Sequence, residues 1–130
     1  MLDTDILSEF LKGNSKVISK VDEHLKQFGF INLSIITYYE ILNGLLYKDA
    51  KKQLAKFEAF IELNRVIPLT LMTTKISAKI HAELRKNGAE IGHTDTLIAG
   101  IAIANKMQLV TNNIEHFKRI KELDISNWTK

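Results

Sequence analysis

Short apolar segments alternate with longer amphipathic ones along the chain, and this alternation constrains the fold more than any other feature. The short segments, predicted to be strands, are residues 1–2, 30–33, 65–69, 108–110 and 123–125. The longer segments carry apolar residues at helical spacing. Strands that alternate with helices in this way are typical of a parallel sheet with helices on both faces. The sequence therefore predicts an α/β fold built on a short parallel β-sheet.

Capping residues predict where the helices begin and end. Four polar residues are placed to begin helices: Ser15, Ser34, Thr74 and Thr94. Residues 87–88, Asn-Gly, are a good pair to end one. The helix expected over residues 96–104 is apolar almost all round, so it should be buried.

Composition excludes several classes of function. The chain has 130 residues, which fits one domain spanning residues 1–130. It has no cysteine, which excludes disulfides, thiol nucleophiles and thiolate-bound zinc, and suits a reducing cytosol. Acids stand where an export signal would carry basic residues, and no apolar run approaches the roughly 20 residues that cross a bilayer. We therefore expect a cytoplasmic protein without membrane contact. Its net charge of +3 is too small to show by itself whether the protein binds nucleic acid.

Polar side chains follow the predicted strands at the points where the strands end. The residues at these positions and at the start of the buried helix are Asp3, Thr4, Asp5, Ser34, Glu40, Asp95, Thr111, Asn112 and Asn113. Ligands of open parallel sheets bind beyond the carboxyl ends of the strands, so we expect these side chains to meet at one rim. Clustered carboxylates repel one another unless a cation or a proton is shared between them. Mg²⁺ suits such a site, where it can activate water and polarise a phosphate, so the sequence indicates phosphodiester hydrolysis.

Each acid also has an ordinary structural interpretation. Asp3 could be only a helix N-cap, and Asp95 could only favour the positive end of its helix. Glu40 is harder to explain in this way, because it lies in an apolar stretch where an unpaired acid is costly. Asp5 and Glu9 are interpreted as solvated groups on a helix surface. The joint placement of the acids at strand ends is what favours the functional interpretation.

Four segments also match known motifs in the right order. Residues 2–7 read Leu-Asp-Thr-Asp-Ile-Leu, residues 34–44 contain Ser and then Glu-Ile-Leu-Asn-Gly, and residues 88–99 contain Gly, Ile and then Asp-Thr-Leu-Ile-Ala. Residues 109–117 read Leu-Val-Thr-Asn-Asn and end in Phe. These segments resemble the Leu-Asp-Thr-Asn, Ser…Glu-Leu-x-x-Gly, Gly…Ile…Asp-x-x-Ile-Ala and Val-Thr-x-Asn…Phe motifs of the PIN-domain ribonucleases. The resemblance is to the VapC-type toxins of toxin–antitoxin pairs in particular.

This resemblance implies a PIN-like fold and metal-dependent endonucleolytic cleavage of RNA. It makes Asp3, Glu40 and Asp95 the catalytic, metal-binding acids, with Asp3 and Asp95 as direct ligands of Mg²⁺, for which Mn²⁺ would substitute. Four other residues would support them: Thr4, Thr111, Asn113 and His116. The resemblance further implies a homodimer and a cognate VapB-type antitoxin whose tail fills the groove. DNA would be reached only through that antitoxin.

The sequence departs from the family at position 116, where His116 stands in place of a frequent fourth acid. His116 could bind metal, contact an RNA phosphate or only cover the groove. Because an acid is missing there, a second hypothesis is a catalytically silent PIN-fold module that binds RNA or an antitoxin. A third is an interaction domain in which every acid is a cap.

Basic residues near the last motif are candidates for RNA contact. They are Lys118, Arg119 and Lys121, which follow the segment predicted to lie at the rim. Lys48 and the lysines of the helix predicted near residues 49–64 are interpreted instead as a solvated helix face.

Overall fold

A small parallel sheet lies at the centre of the fold in a computed structural model that describes residues 1–130. Its strands are β1 (Asn32–Ser34), β2 (Arg65–Ile67), β3 (Leu109–Val110) and β4 (Ile125–Ser126). β1 pairs with β2 and β3 pairs with β4, both in parallel. Leu2 forms parallel bridges to Leu33 and to Val110, so it joins the two pairs in the order β2, β1, Leu2, β3, β4. The predicted parallel sheet is confirmed.

Seven helices surround the sheet: α1 (Thr4–Leu11), α2 (Ser15–Phe28), α3 (Ile35–Tyr47), α4 (Lys51–Leu63), α5 (Leu71–Lys86), α6 (His93–Ala104) and α7 (Ile114–Phe117). They form two apolar clusters, one with α1 to α4 and one with α5 to α7. Val110 belongs to the first cluster and its neighbour Leu109 to the second, because successive strand residues face opposite sides of a sheet. Helices therefore cover both faces, as predicted. None of them combines the length and apolar character that a membrane crossing requires.

Two predicted helix ends are confirmed. The Ser34 hydroxyl accepts a hydrogen bond of 3.0 Å from the backbone N–H of Thr37 and so caps α3. Helix α5 ends at Lys86 with Asn87 as its C-cap, and Gly88 has a φ of +66°, a left-handed conformation that favours glycine.

Two predicted helix starts and one predicted N-cap were wrong. Asn14 caps α2 in place of Ser15, because its side chain accepts from the N–H groups of the first turn. Helix α5 begins after Thr70 and not at Thr74, since Thr70 and Thr73 exchange the reciprocal hydrogen bonds of a capping box. The residues between them, Leu71 and Met72, are apolar but exposed, which hid this first turn from the apolar pattern.

Helix α6 also begins earlier than predicted, at His93, with Gly92 at the N-cap position. Thr94 therefore lies inside the first turn and makes no cap. The predicted burial of the helix is confirmed, since Ile98, Ala99 and Ile101 are all fully buried.

Close packing of α5 on α6 occurs at Gly100. A Cβ atom at this position would lie 2.8 Å from the carbonyl oxygen of Thr73 and would overlap the hydroxyl of Ser77. The Ser77 hydroxyl is held in place, because it donates a 2.9 Å hydrogen bond to the carbonyl of Thr96. The two helices can therefore approach this closely only with glycine at position 100.

Replacing Gly100 with alanine should lower the free energy of unfolding by up to roughly 2 kcal/mol, measured by urea denaturation. The overlap costs about 1–3 kcal/mol, and the better helix propensity of alanine offsets about 1 kcal/mol of that cost. Gly44→Ala is the matched control, because Gly44 lies inside α3 with nothing within 4 Å of the added Cβ. It should be neutral or stabilising. Equal stabilisation by both substitutions would contradict the close approach.

Candidate active site

Asp3 lies where the chain leaves the central bridge of the sheet. It is the N-cap of α1, and its Oδ1 accepts a 2.8 Å hydrogen bond from the backbone N–H of Thr4. Its Oδ2 accepts a 2.7 Å bond from the hydroxyl of Thr111. Asp3 is only 5% exposed. The same position therefore makes Asp3 both the N-cap of α1 and a residue at the rim of the sheet.

The pKa of Asp3 is raised to about 7, mainly by burial and next by the negative charge of Asp5. The hydrogen bonds from Thr111 and Thr4 lower this pKa, while the charge of Asp95 raises it. Hydrogen bonds therefore only partly offset the burial of this carboxylate.

The loop after β3 connects Asp3 with Asp95. The Thr111 hydroxyl, which donates to Asp3, accepts a 2.9 Å hydrogen bond from the backbone N–H of Asn113. The Asn113 side-chain amide lies 3.4 Å from Oδ2 of Asp95 and 2.9 Å from Nδ1 of His116. The same His116 nitrogen is 3.6 Å from Oδ2 of Asp95. The predicted supporting residues after β3 therefore contact two of the three predicted catalytic acids.

Glu40 reaches the site from α3. Its Oε1 accepts a 2.6 Å hydrogen bond from the hydroxyl of Thr4, which also lies 3.0 Å from the hydroxyl of Thr37. This bond gives Glu40 the partner that an acid in an apolar stretch requires. It also places Thr4 beside the acids, which is the position that its predicted supporting role requires.

Asp5 does not lie on a solvated surface, so that interpretation was wrong. Its Oδ2 accepts a 3.0 Å hydrogen bond from the backbone N–H of Asn112, and its Oδ1 is buried without a partner. Burial raises the pKa of Asp5. The loop after β3 folds over this face of α1, which no pattern local to the helix could reveal.

One groove of about 460 Å³ brings the acids together. The acids that line it are Asp3, Asp5, Glu40 and Asp95. The other lining residues are Thr4, Ser8, Leu11, Lys12, Ile41, Gly44, Leu45, Lys48, Gln53 and Asn113. The three predicted catalytic acids, separated widely in sequence, thus share one concave surface.

A larger cavity of about 620 Å³ lies between α5 and α6. Its lining includes His81 and His93, whose rings stack with centroids 4.3 Å apart, but it includes no carboxylate. The groove, and not this cavity, has the chemistry of a hydrolytic site, so we take the groove as the candidate active site.

The donor set of the groove fits a hard divalent cation. Carboxylate oxygens are the protein ligands that Mg²⁺ prefers. No three side chains of His, Asp or Glu converge closely enough to hold a metal by themselves. Mg²⁺ does not require this, because it is commonly held by one or two carboxylates and completed by water and substrate phosphate. The buried and unpartnered Oδ1 of Asp5 is a further oxygen that lacks a positive partner.

The basic residues predicted to contact RNA do not line the groove. Lys118 forms an ion pair of 2.8 Å with Glu115, and Arg119 donates to the backbone carbonyls of residues 89–90. Lys121 lies with Arg119 at a separate surface cavity. Their contact with RNA stays a prediction.

Two other lysines, Lys12 and Lys48, do line the groove. Lys48 was interpreted as part of a solvated helix face, but it is the C-cap of α3 and lies outside α4. No local pattern marks Lys12, the C-cap of α1, as a residue of the site. Both lysines reach the groove because α1 and α3 pack side by side.

The chain is similar to known proteins over nearly its whole length. A family model described as PIN domain matches residues 1–123. Ribonuclease VapC2 of Rickettsia felis is 34% identical over 131 residues, which cover 100% of this chain and 98% of the relative. The tRNA(fMet)-specific endonuclease VapC of Salmonella typhimurium is 31% identical over 117 residues, with 85% of this chain and 89% of the relative covered.

Solved structures give the same result. VapBC2 from Rickettsia felis, bound to a DNA fragment from their promoter, matches with a TM-score of 0.90 at 32% identity. That match covers 98% of this chain and 97% of the other. DNA-bound VapBC from Salmonella typhimurium also reaches 0.90, at 28% identity, with 98% and 96% covered. The fold expected from the family resemblance is therefore confirmed.

Asp3→Asn should make the metal-free protein more stable at pH 8. A raised pKa means that the folded chain binds a proton more tightly than the unfolded chain, so the free energy of unfolding falls as pH rises from about 4 to about 7. Asparagine keeps the cap acceptor without the charge, so this contribution should vanish and stability at pH 8 should rise by roughly 1–4 kcal/mol. Urea denaturation in EDTA at pH 5 and pH 8 measures both effects.

The control for this prediction is Asp22→Asn, because Asp22 is an exposed acid on α2. It should keep the pH dependence of the wild type. If Asp3→Asn and the wild type have the same free energy of unfolding at both pH values, burial does not raise the pKa of Asp3.

Proposed function

Because the chain belongs to the PIN domain family, we propose that it is a metal-dependent endoribonuclease that hydrolyses phosphodiester bonds of RNA at the carboxylate groove. The observation that carries this proposal is that Asp3, Glu40 and Asp95 come from three distant segments and line one groove. Relatives that cover most or all of the chain are a ribonuclease and a tRNA(fMet)-specific endonuclease, which supports the activity. We treat residues 1–130 as one PIN domain.

Asp3 and Asp95 would hold the metal directly, and Glu40 would be the third acid of the site. When bound, Mg²⁺ supplies Lewis-acid chemistry that activates water and offsets charge on the phosphate. The hydroxyl of Thr111 fixes one oxygen of Asp3, and the hydroxyl of Thr4 fixes one oxygen of Glu40. These bonds orient the carboxylates before substrate arrives, which reduces the reorganisation that the reaction requires.

Asn113 and His116 would orient the remaining acid. The Asn113 amide donates toward Oδ2 of Asp95, and His116 is close to the same oxygen. The all-oxygen donor set favours Mg²⁺ as the ion, with Mn²⁺ as a substitute.

We also propose that the chain is the toxin of a toxin–antitoxin pair. The two neighbouring structures described above are DNA-bound VapBC complexes, which supports a VapB-type antitoxin as the partner that carries the contact with DNA. By the family resemblance, the tail of this antitoxin would fill the groove. Large apolar side chains stand exposed on the surface, including Tyr47 at 91%, Leu63 at 79% and Leu71 at 79%. Such side chains are available to a partner only where they adjoin one another in a patch. The expected assembly is a homodimer with its antitoxin, in the cytoplasm.

Metal-dependent cleavage should depend on the acids of the groove. Asp95→Asn and Asp3→Asn should each lower the rate of RNA cleavage in Mg²⁺ by roughly a hundredfold or more, because each removes a charge that holds the ion. The measurement is cleavage of an RNA pool by protein free of antitoxin, with EDTA as a second control. Asp22→Asn should cleave like the wild type. Full activity in both site variants would refute the proposal.

A second candidate function follows from His116, which stands where the family often has an acid and whose Nδ1 lies 3.6 Å from Oδ2 of Asp95. If the missing charge leaves the groove without metal, the chain is a silent module that binds RNA or an antitoxin. This candidate predicts RNA binding that survives EDTA and yields no product.

His116→Asp should strengthen metal binding. A carboxylate placed near Asp95 adds a negative charge to the site, and the gain is on the order of 1 kcal/mol, or about fivefold in affinity. The concentration of Mn²⁺ at half-maximal thermal stabilisation should fall accordingly. His116→Asn, which removes the imidazole without adding charge, is the control. Equal midpoints for the two variants would show that position 116 does not face the ion.

A further inference from the structure

We propose that Lys12 and Lys48 bind the RNA phosphates that flank the scissile bond and so position the strand over the carboxylates. Both lysines line the same groove as the four acids. This inference rests on the proposed function, because it assigns residues that hold the substrate of that site.

The two lysines reach the groove from different parts of the chain. Lys12 is the C-cap of α1 and Lys48 is the C-cap of α3, the helices that carry Asp5 and Glu40. Both side chains are exposed, and the ion pairs of the protein all involve other cations. Their ammonium groups are therefore available to a ligand in the groove.

The cations after α7 are less available. The ammonium of Lys118 is 2.8 Å from a carboxylate oxygen of Glu115, and Arg119 is bound to two backbone carbonyls. Neither lines the groove. The positive charge that an RNA strand meets beside the acids is thus that of Lys12 and Lys48.

An acidic groove by itself repels a polyanion. A bound metal offsets this repulsion at the acids, but the flanking phosphates of a strand lie beyond the ion. Lysine is well suited to them, because its ammonium is a point charge on a flexible stem that contacts phosphate without reading the base. Ser8 and Gln53 also line the groove and add neutral hydrogen-bonding groups beside the lysines. The lysines should therefore supply affinity and salt dependence but no sequence preference.

A purely structural role makes different predictions. A cation at a helix C-terminus stabilises the helix dipole, and both lysines hold that position. If the lysines only stabilised their helices, removing them would lower the urea concentration at the midpoint of unfolding and leave the KM for RNA unaltered. That role gives no reason for two separate helices to end at one acidic groove.

The test is steady-state cleavage of single-stranded RNA by the double variant Lys12→Ala/Lys48→Ala. The matched control is Lys75→Ala/Lys79→Ala, which removes the same charge from two exposed lysines of α5 that do not line the groove. We expect KM to rise about tenfold with kcat changed less than about threefold, on every sequence tried. The slope of log KM against log salt should fall by about 0.7 for each lysine removed. Lys12→Arg/Lys48→Arg should restore most of the affinity.

The outcomes separate this inference from the proposed function. If the wild type cleaves RNA and the double variant keeps its KM and salt slope, the inference is overturned and the nuclease stands. An effect on kcat alone, or an equal effect in the α5 control, overturns it as well. If the wild type cleaves no RNA, the proposed function fails, and the Kd of the same proteins for single-stranded RNA tests the inference instead. A Kd that is unchanged in the Lys12→Ala/Lys48→Ala variant overturns the inference. A Kd raised in that variant but not in the α5 control supports it.

Discussion

The whole structure depends on the pairing of Leu2 with two neighbouring strands at once. The backbone N–H of Leu2 donates to Asn32, that of Asp3 donates to Val110, and that of Val110 donates to Met1, all at 2.8–2.9 Å. These bonds join the two halves of the sheet through a residue that is 2% exposed. Because the chain turns into α1 directly after this bridge, the sheet itself fixes where the carboxylate of Asp3 lies.

A network of hydrogen bonds links the acids of the groove. Thr111 bonds to Asp3 and to the backbone of Asn113, and Asn113 reaches Asp95 and His116. Hydrogen bonds linked in this way are coupled, so the effects of substitutions within the network are not expected to add. The loop after β3 therefore matters as much to the geometry of the site as the acids do.

The parts of this structure that sequence predicts are those with local causes. The cap at Ser34 and the burial of α6 follow from neighbouring residues, and the predicted rim follows from the direction of parallel strands. Within the site, the residues that sequence patterns do not locate depend on tertiary contacts: Asp5 is covered by a loop more than a hundred residues away, and Lys12 faces a groove that exists only once α1 and α3 pack together. The resemblance to family motifs predicted part of this arrangement, because it related distant segments of the chain to one site. Helical or strand periodicity describes each segment by itself.

The burial of Asp3 has a consequence for the turnover of the chain in a cell. At neutral pH an empty groove leaves this carboxylate inside the protein without a compensating positive charge, which favours opened conformations. Proteases act on opened conformations in proportion to their population. A cation in the groove, or a basic side chain from a partner, would offset this charge and so disfavour the opened conformations that proteases cleave.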